Sequence, residues 1–288
     1  MCLGYCRLQN SVLRLWDKVF LKFFLCLFLV IGFSAGLLGL SSSALWAQTS
    51  ISPKSKKVVH ISVGFSVPPY VIASENRGAE LDIVREAMAL EGYNIIPFYV
   101  SNKRRNAEFL DGVTDGAITV SSQEELDGFY SKSYITYQNV AISLAANNLR
   151  VNRLTDLKGM RVVAFQTASK VLGQEFAPLI TTFEFYQEVA KQREQITRLY
   201  AGDVDLVIGD KNILAWFVKN ARFREGLDTS QPIAIHQVFL PGHKYAVFRE
   251  HELTLAFDRG IEILKESGRY DEILSEYGFN SFKNDDPS

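Results

Sequence analysis

Two acidic residues stand where a carboxylate could do chemistry. Asp210 closes the apolar run Val204 to Ile208, immediately before a helical stretch over 211–220. A carboxylate at a strand end can meet a cation at low dielectric, and it can equally cap the helix that follows. Glu80 opens the helical stretch 79–91, where it can serve a ligand or complement the helix dipole. Together, Glu80 and Asp210 could on paper form an acid/base pair. Lys103-Arg104-Arg105 opens another helical stretch, 103–111. Three adjacent cations rarely all point inward, so the run reads either as a solvated turn or as the source of one inward cation, with Arg104 the candidate. Other chemistries find little support. His60, His236, His243 and His251 lack metal-ligand spacing. Phosphate-binding Gly-Lys-Ser/Thr loops, Gly-x-Gly-x-x-Gly runs and Gly-x-Ser-x-Gly elbows are absent. The residues favour binding over catalysis, and no metal or cofactor is expected.

The elements that must position these residues alternate. Val58 to Val63 reads as a strand, 79–91 as an amphipathic helix ended by Gly92, and Tyr93 to Val100 as a second strand. A helix over 103–111 precedes a third strand, Gly116 to Val120, which carries Thr119. Strands separated by single helices imply right-handed parallel crossovers and an open α/β sheet. Tyr134 to Leu144 is then one long β-like run with no helix after it. A second alternating series follows: strands at 161–165, 182–185 and 204–208, with helices at 168–178, 187–201 and 211–220. Extended stretches at 233–238 and 244–248 lead to two helices over 252–277, divided by Gly268. The pattern predicts two α/β lobes joined by two extended crossings, with lobe one formed by 57–139 and 243–279 and lobe two by 140–242. Ligands bind beyond the carboxyl ends of open α/β sheets, so two facing lobes make a cleft, and two hinge strands let it close.

Ahead of this lies a different kind of sequence. Arg7, Arg14, Lys18 and Lys22 precede an apolar run from Phe23 to Leu40, and small residues follow from Ser41 to Ala44. Basic, apolar, small is the order of a secretory signal, predicted over 1–47; an uncleaved anchor is the alternative, since the run approaches a membrane-spanning length. Cys2, Cys6 and Cys26 all fall in this leader, so the remainder has neither a disulfide nor a thiolate metal site. The whole chain of 288 residues has a net charge of -1, and the loss of those basic residues against Asp17 leaves a mildly acidic remainder. Nucleic acid is therefore a poor partner.

From about Val58 to Phe279 the chain resembles the family 3 extracellular solute-binding proteins, the polar amino acid receptors of ABC transporters. The resemblance rests on Pro68-Pro69-Tyr70 after the first strand, Gly78-Ala79-Glu80-Leu81-Asp82 at a helix start, and Tyr130-Ser131-Lys132-Ser133-Tyr134 before the crossing. It continues in Leu154-Thr155-Asp156-Leu157-Lys158-Gly159, in Gly202 to Asp210, and in Ser267-Gly268-Arg269-Tyr270-Asp271-Glu272-Ile273. It implies the type II periplasmic-binding-protein clamshell, a monomer in the periplasm, a small polar ligand and a membrane permease or sensory receptor as partner. It also implies that Asp210 holds a ligand amino group, that Ser169 with Gln166 and Thr167 forms an anion-binding turn at a helix start, and that Tyr70 lies near the ligand. Thr119, in the third strand, joins these candidates.

One departure matters most. The family's amino acid binders carry an arginine after the third strand, which forks onto the α-carboxylate. Here the matching stretch is Ser121-Ser122-Gln123-Glu124-Glu125, and neither Lys nor Arg occurs between Asn106 and Ser131. Either the ligand has no α-carboxylate, or another cation, with Arg104 the candidate, replaces the arginine. Three functions stay in view: a transport receptor, a sensory receptor of the same fold, and a periplasmic cyclic-acid dehydratase using Glu80 with Asp210.

Overall fold

The computed structural model describes residues 56–279, apart from Ser66, Gln123, residues 225–227 and the side chains of Asn102 and 221–224. The predicted leader lies outside the described residues. In chain order the first series is β1 (Lys57–Gly64), α1 (Ala79–Leu90), β2 (Tyr93–Val100), α2 (Asn102–Leu110), β3 (Gly116–Val120), β4 (Phe129–Tyr130) and β5 (Ile135–Tyr137). The second is β6 (Asn139–Leu144), β7 (Arg161–Phe165), α3 (Ala168–Val171), β8 (Phe185–Val189), α4 (Gln192–Tyr200), β9 (Leu206–Asp210), α5 (Lys211–Arg224) and β10 (Ile233–His236). The chain then returns through β11 (Gly242–Phe248), α6 (His251–Glu266) and α7 (Arg269–Glu276).

These strands form two sheets. One runs β2-β1-β3-β11-β4, with β5 also paired to β11; the other runs β10-β6-β9-β7-β8. In each sheet three strands are parallel, joined by helical crossovers, and the strands that cross between sheets pair antiparallel to them. Apolar periodicity drives this assembly. On α1, Leu81, Val84, Ala87 and Met88 recur at helical spacing and are fully buried, and α6 lies across the same helix. Gln195 on α4 donates to the carbonyls of Val163 and Ile208 at 3.2 and 2.7 Å, so a buried amide fastens that helix to β7 and β9.

The two crossings run side by side. β5 pairs with β11 (Tyr137 opposite Gly242), and β6 pairs with β10 (Ala141 opposite His236). Between them, Gln138 donates its side-chain amide to the Phe239 carbonyl at 2.9 Å and links one crossing to the other.

Several elements depart from the sequence reading. The run 134–144 is broken at Gln138, because that residue's N–H and C=O are taken by Asp210 and by the Lys211 N–H instead of a strand partner. The helix expected over 168–178 stops at Val171. Gly173 has φ +94, and Pro178 opens a 3-10 segment, Ala177–Thr182, with the Thr181 and Thr182 hydroxyls bonded to carbonyls three residues back. β8 consequently begins at Phe185 instead of Thr182, and α4 begins at Gln192 instead of 187. The two-residue β4 carries too short a pattern to be read in advance.

Gly78 sets the entry to α1. Its φ is +139, and a Cβ there would lie 2.3 Å from the Tyr70 carbonyl oxygen. That approach lets the Glu80 N–H donate to the same carbonyl at 3.1 Å, placing Tyr70 against the start of α1. Gly78→Ala meets both a forbidden φ and immovable backbone, so it is expected to cost at least about 2 kcal/mol in urea unfolding. A loss below about 0.5 kcal/mol would show that the turn relaxes freely.

Candidate functional site

Each sheet changes winding direction between two parallel strands, β1 and β3 in one and β7 and β9 in the other. Their carboxyl ends open onto a single cleft of about 2610 Å³. Gly64, Ser101, Thr119 and Ser121 come from the first sheet, and Gln166, Lys191 and Asp210 from the second. Of the residues singled out from sequence, Thr119, Gln166, Ser169 and Asp210 line the cleft. Tyr70 and Glu80 are fully buried and lie outside that lining. Gln166 is exposed there.

Asp210 is 3% exposed and its four acceptor positions are all used. Oδ1 accepts from the backbone N–H groups of Asn212 and Ile213 at 2.9 and 3.1 Å, capping α5. Oδ2 accepts from the Gln138 N–H at 2.8 Å and from the Tyr70 hydroxyl at 3.0 Å. Capping and binding were both open for this residue; here the cap is filled, and the remaining oxygen is held by a tyrosine of the other sheet's core. Asn212 Nδ2 donates to the same hydroxyl at 3.0 Å. Burial raises the Asp210 pKa from 3.8 to about 6, against the pull of its four donors. Burial and the neighbouring Asp210 push the Tyr70 phenol well above its ordinary range, so that proton stays on oxygen.

Glu80 lies beneath the cleft in a cage of hydroxyls. Oε1 accepts from Thr119 Oγ1 at 2.8 Å and from the Tyr134 hydroxyl, and Oε2 accepts from the Tyr137 hydroxyl at 2.8 Å. Thr119 has φ +61, a conformation rare for a β-branched residue. Its N–H donates to the Tyr134 hydroxyl at 3.2 Å and its carbonyl accepts from Arg105 at 3.0 Å, so every polar group of Thr119 is engaged.

The basic run divides. Arg104, the candidate taken from sequence, has its side chain 70% exposed and pairs with Glu108 one turn along α2, away from the cleft. Arg105 is the inward cation, 5% exposed at the cleft wall. Its guanidinium is spent internally on Asn106, the Thr119 carbonyl and Glu124. Glu124 also accepts from the Ser121 N–H at 3.0 Å and from Asn106 Nδ2 at 2.7 Å. Burial opposes ionisation of Glu124, but Arg105 and these donors win and hold its pKa low.

The expected anion-binding turn is occupied as well. Glu188, at the end of β8, accepts from the N–H groups of Thr167 and Ser169, each at 2.7 Å, and from the Tyr186 hydroxyl at 2.9 Å. Burial opposes this carboxylate's charge, and the donors from Ser169, Tyr186 and Thr167 hold its pKa down nonetheless. Thr167 stands at φ +69, in the left-handed region that favours glycine.

Sequence reasoning missed Arg105, Tyr137, Glu188 and Lys244. Tyr137 stacks on Tyr70 (centroids 3.9 Å apart, planes at 19°), and Lys244 Nζ stands 5.6 Å from the Tyr137 centroid. Both lie on the paired crossings β5 and β11, so their place in the crossing runs was the available signal. Nothing in the sequence marks Glu188. Among the described residues, no group of three His, Cys, Asp or Glu could hold a metal ion, and no helix is long and apolar enough to cross a membrane.

Asp210 binds its proton more tightly folded than unfolded, so folding takes up a proton between about pH 4 and pH 6, and stability falls as pH rises through that window. In Asp210→Asn that contribution vanishes. Urea unfolding of the two proteins is expected to shift in the variant's favour by about 1–3 kcal/mol between pH 4 and pH 7. A pH-independent difference would place the Asp210 pKa near its ordinary value.

No protein-family model and no curated protein sequence matches the chain. Solved structures do. A histidine kinase sensor domain with similarity to periplasmic binding proteins is 14% identical with a TM-score of 0.61, covering 78% of this chain and 97% of its own. An ancestral amino acid-binding protein, a precursor of cyclohexadienyl dehydratase, is 15% identical with a TM-score of 0.60 over 76% and 95%. An amino acid ABC transporter substrate-binding protein from Streptococcus pneumoniae, bound to L-arginine, is 23% identical with a TM-score of 0.58 over 80% and 98%. With its two sheets, its paired crossings and its shared cleft, the chain has the two-lobed type II fold of the periplasmic binding proteins.

Proposed function

We propose that the chain is an exported solute-binding receptor that closes around a small polar metabolite and hands it to a membrane permease. Residues 57–139 and 243–279 form one lobe, 140–242 the other, and residues 1–47 direct export from the cytoplasm into the periplasm, where the receptor works as a monomer. The observation that carries this reading is the cleft at the switch points of both sheets, bridged by two short crossings. Its volume exceeds the few hundred Å³ that a small ligand fills, as an open clamshell requires. Phe65 on one wall and Val171 and Leu240 on the other are exposed, and closure would remove them from water. Likeness to an L-arginine-bound transporter protein supports the transport role.

The reading is non-catalytic. A dehydratase needs an acid and a base that reach the substrate, whereas Glu80 is caged by three hydroxyls and Asp210 by four donors. A sensory role is the second reading, favoured by the likeness to a histidine kinase sensor domain. It uses the same cleft and closure and differs in the partner.

A broad library of small polar metabolites, screened by thermal unfolding, is expected to yield a ligand that raises Tm by about 5–10 °C near a hundredfold excess over Kd. The same ligand should reduce the radius of gyration in X-ray solution scattering. A library that changes neither quantity would sink the receptor reading.

A further inference from the structure

A zwitterionic ligand needs an acceptor for its ammonium group and donors for its carboxylate, and in this cleft the protein fills both of the expected places itself. Asp210 has no acceptor position left, and a ligand ammonium could reach it only by displacing Tyr70, Gln138 or the α5 cap. The Thr167 and Ser169 N–H groups already hold the Glu188 carboxylate. Arg105, the buried guanidinium of the wall, is spent on Glu124, Asn106 and the Thr119 carbonyl.

One charge is left over. Lys244 lines the cleft half-buried on β11, and among the described residues its side chain has neither a hydrogen bond nor an ion pair; its ammonium stands against the Tyr137 ring. The other unpaired lysines of the lining, Lys103, Lys170 and Lys191, are exposed and bear their charge in water. A half-buried ammonium without a partner is a costly arrangement that an incoming anion relieves. Burial lowers the Lys244 pKa, while Glu124, Glu80 and Asp210 raise it and Arg105 lowers it further. The three carboxylates in that field are all committed to other donors.

Given the receptor reading, we infer that the cleft takes an organic acid anion lacking an α-ammonium group, with its carboxylate on Lys244. The same geometry penalises amino acids: an α-ammonium beside Lys244 meets a like charge, and the carboxylates around it, Glu80, Glu124 and Asp210, are already committed.

Paired probes that differ only at the α-carbon test this with the full-length protein. Titration calorimetry would compare pyruvate with L-alanine, 2-oxoglutarate with L-glutamate, and phenylpyruvate with L-phenylalanine. At least one 2-oxo acid is expected to bind at least about tenfold more tightly than its amino acid, and Lys244→Met to lose at least about tenfold of that affinity. Lys244→Arg, which keeps the charge, should recover part of it. Unliganded Tm, read for each variant, separates loss of the site from loss of the fold. Tighter binding of the amino acids, unchanged affinity in Lys244→Met, or silence from all six probes would overturn the inference. Closure around a neutral or cationic metabolite in the broader library would do so too while leaving the receptor reading standing; the receptor reading fails only if nothing in that library closes the cleft.

Discussion

A single carboxylate joins the two halves of this molecule. Asp210 ends β9 in one sheet, caps α5, fixes the backbone of Gln138 at the crossing and accepts the hydroxyl of Tyr70 from the other half. Four donors on two oxygens leave it nothing further to accept. Around that contact the apolar packing also ignores the division into sheets. Ile213 from α5 belongs to the core cluster built on β1, α1 and α6, with Trp216 and Phe217 packed against it. The junction is thus a small core with a polar centre, and the low dielectric that raises the Asp210 pKa is what makes its hydrogen bonds worth keeping.

The same economy governs the rest of the cleft. Glu80, Glu124 and Glu188 are each surrounded by donors from the protein: hydroxyls for the first, a guanidinium and an amide for the second, backbone N–H groups for the third. Buried ions are tolerable only when paired in this way. Satisfying them internally fixes the shape of both walls before any ligand arrives. It also takes these buried carboxylates out of reach of a ligand cation and leaves Lys244, half-buried and facing the Tyr137 ring, able to gain from an anionic partner.

Much of the fold was legible in the sequence because its signals are local and redundant. The amphipathic period of α1, the glycine that ends it and the apolar runs of β1, β3 and β9 all point the same way. The series from 168 to 201 misled because an apolar run with a helical period continues past Gly173 and Pro178, where backbone conformation decides. Site residues were legible only in part. A strand end or a helix start marks Asp210, Thr119 and Glu80 as placed near a cleft, but not what already occupies them. Which of two adjacent arginines turns inward is fixed by Glu108 and Glu124, one a turn away and the other beyond the next strand. Glu188 fills its turn through a contact between residues some twenty apart, which no short motif encodes.

Gln138 has a mechanical consequence. Its N–H and C=O are both bound to the second half, through Asp210 and the Lys211 N–H, and its side chain is bound to Phe239. Its neighbour Tyr137 is bound to the first half through Glu80. One peptide linkage therefore separates two clamped residues. A rotation of one half against the other would fall on the torsions flanking that linkage and on residues 237–241 alongside, next to the Tyr70–Asp210 bond. Bonds this close to the pivot, Tyr70 to Asp210 and Asn212 to Tyr70, would move least in a swing that parts the rims of the cleft.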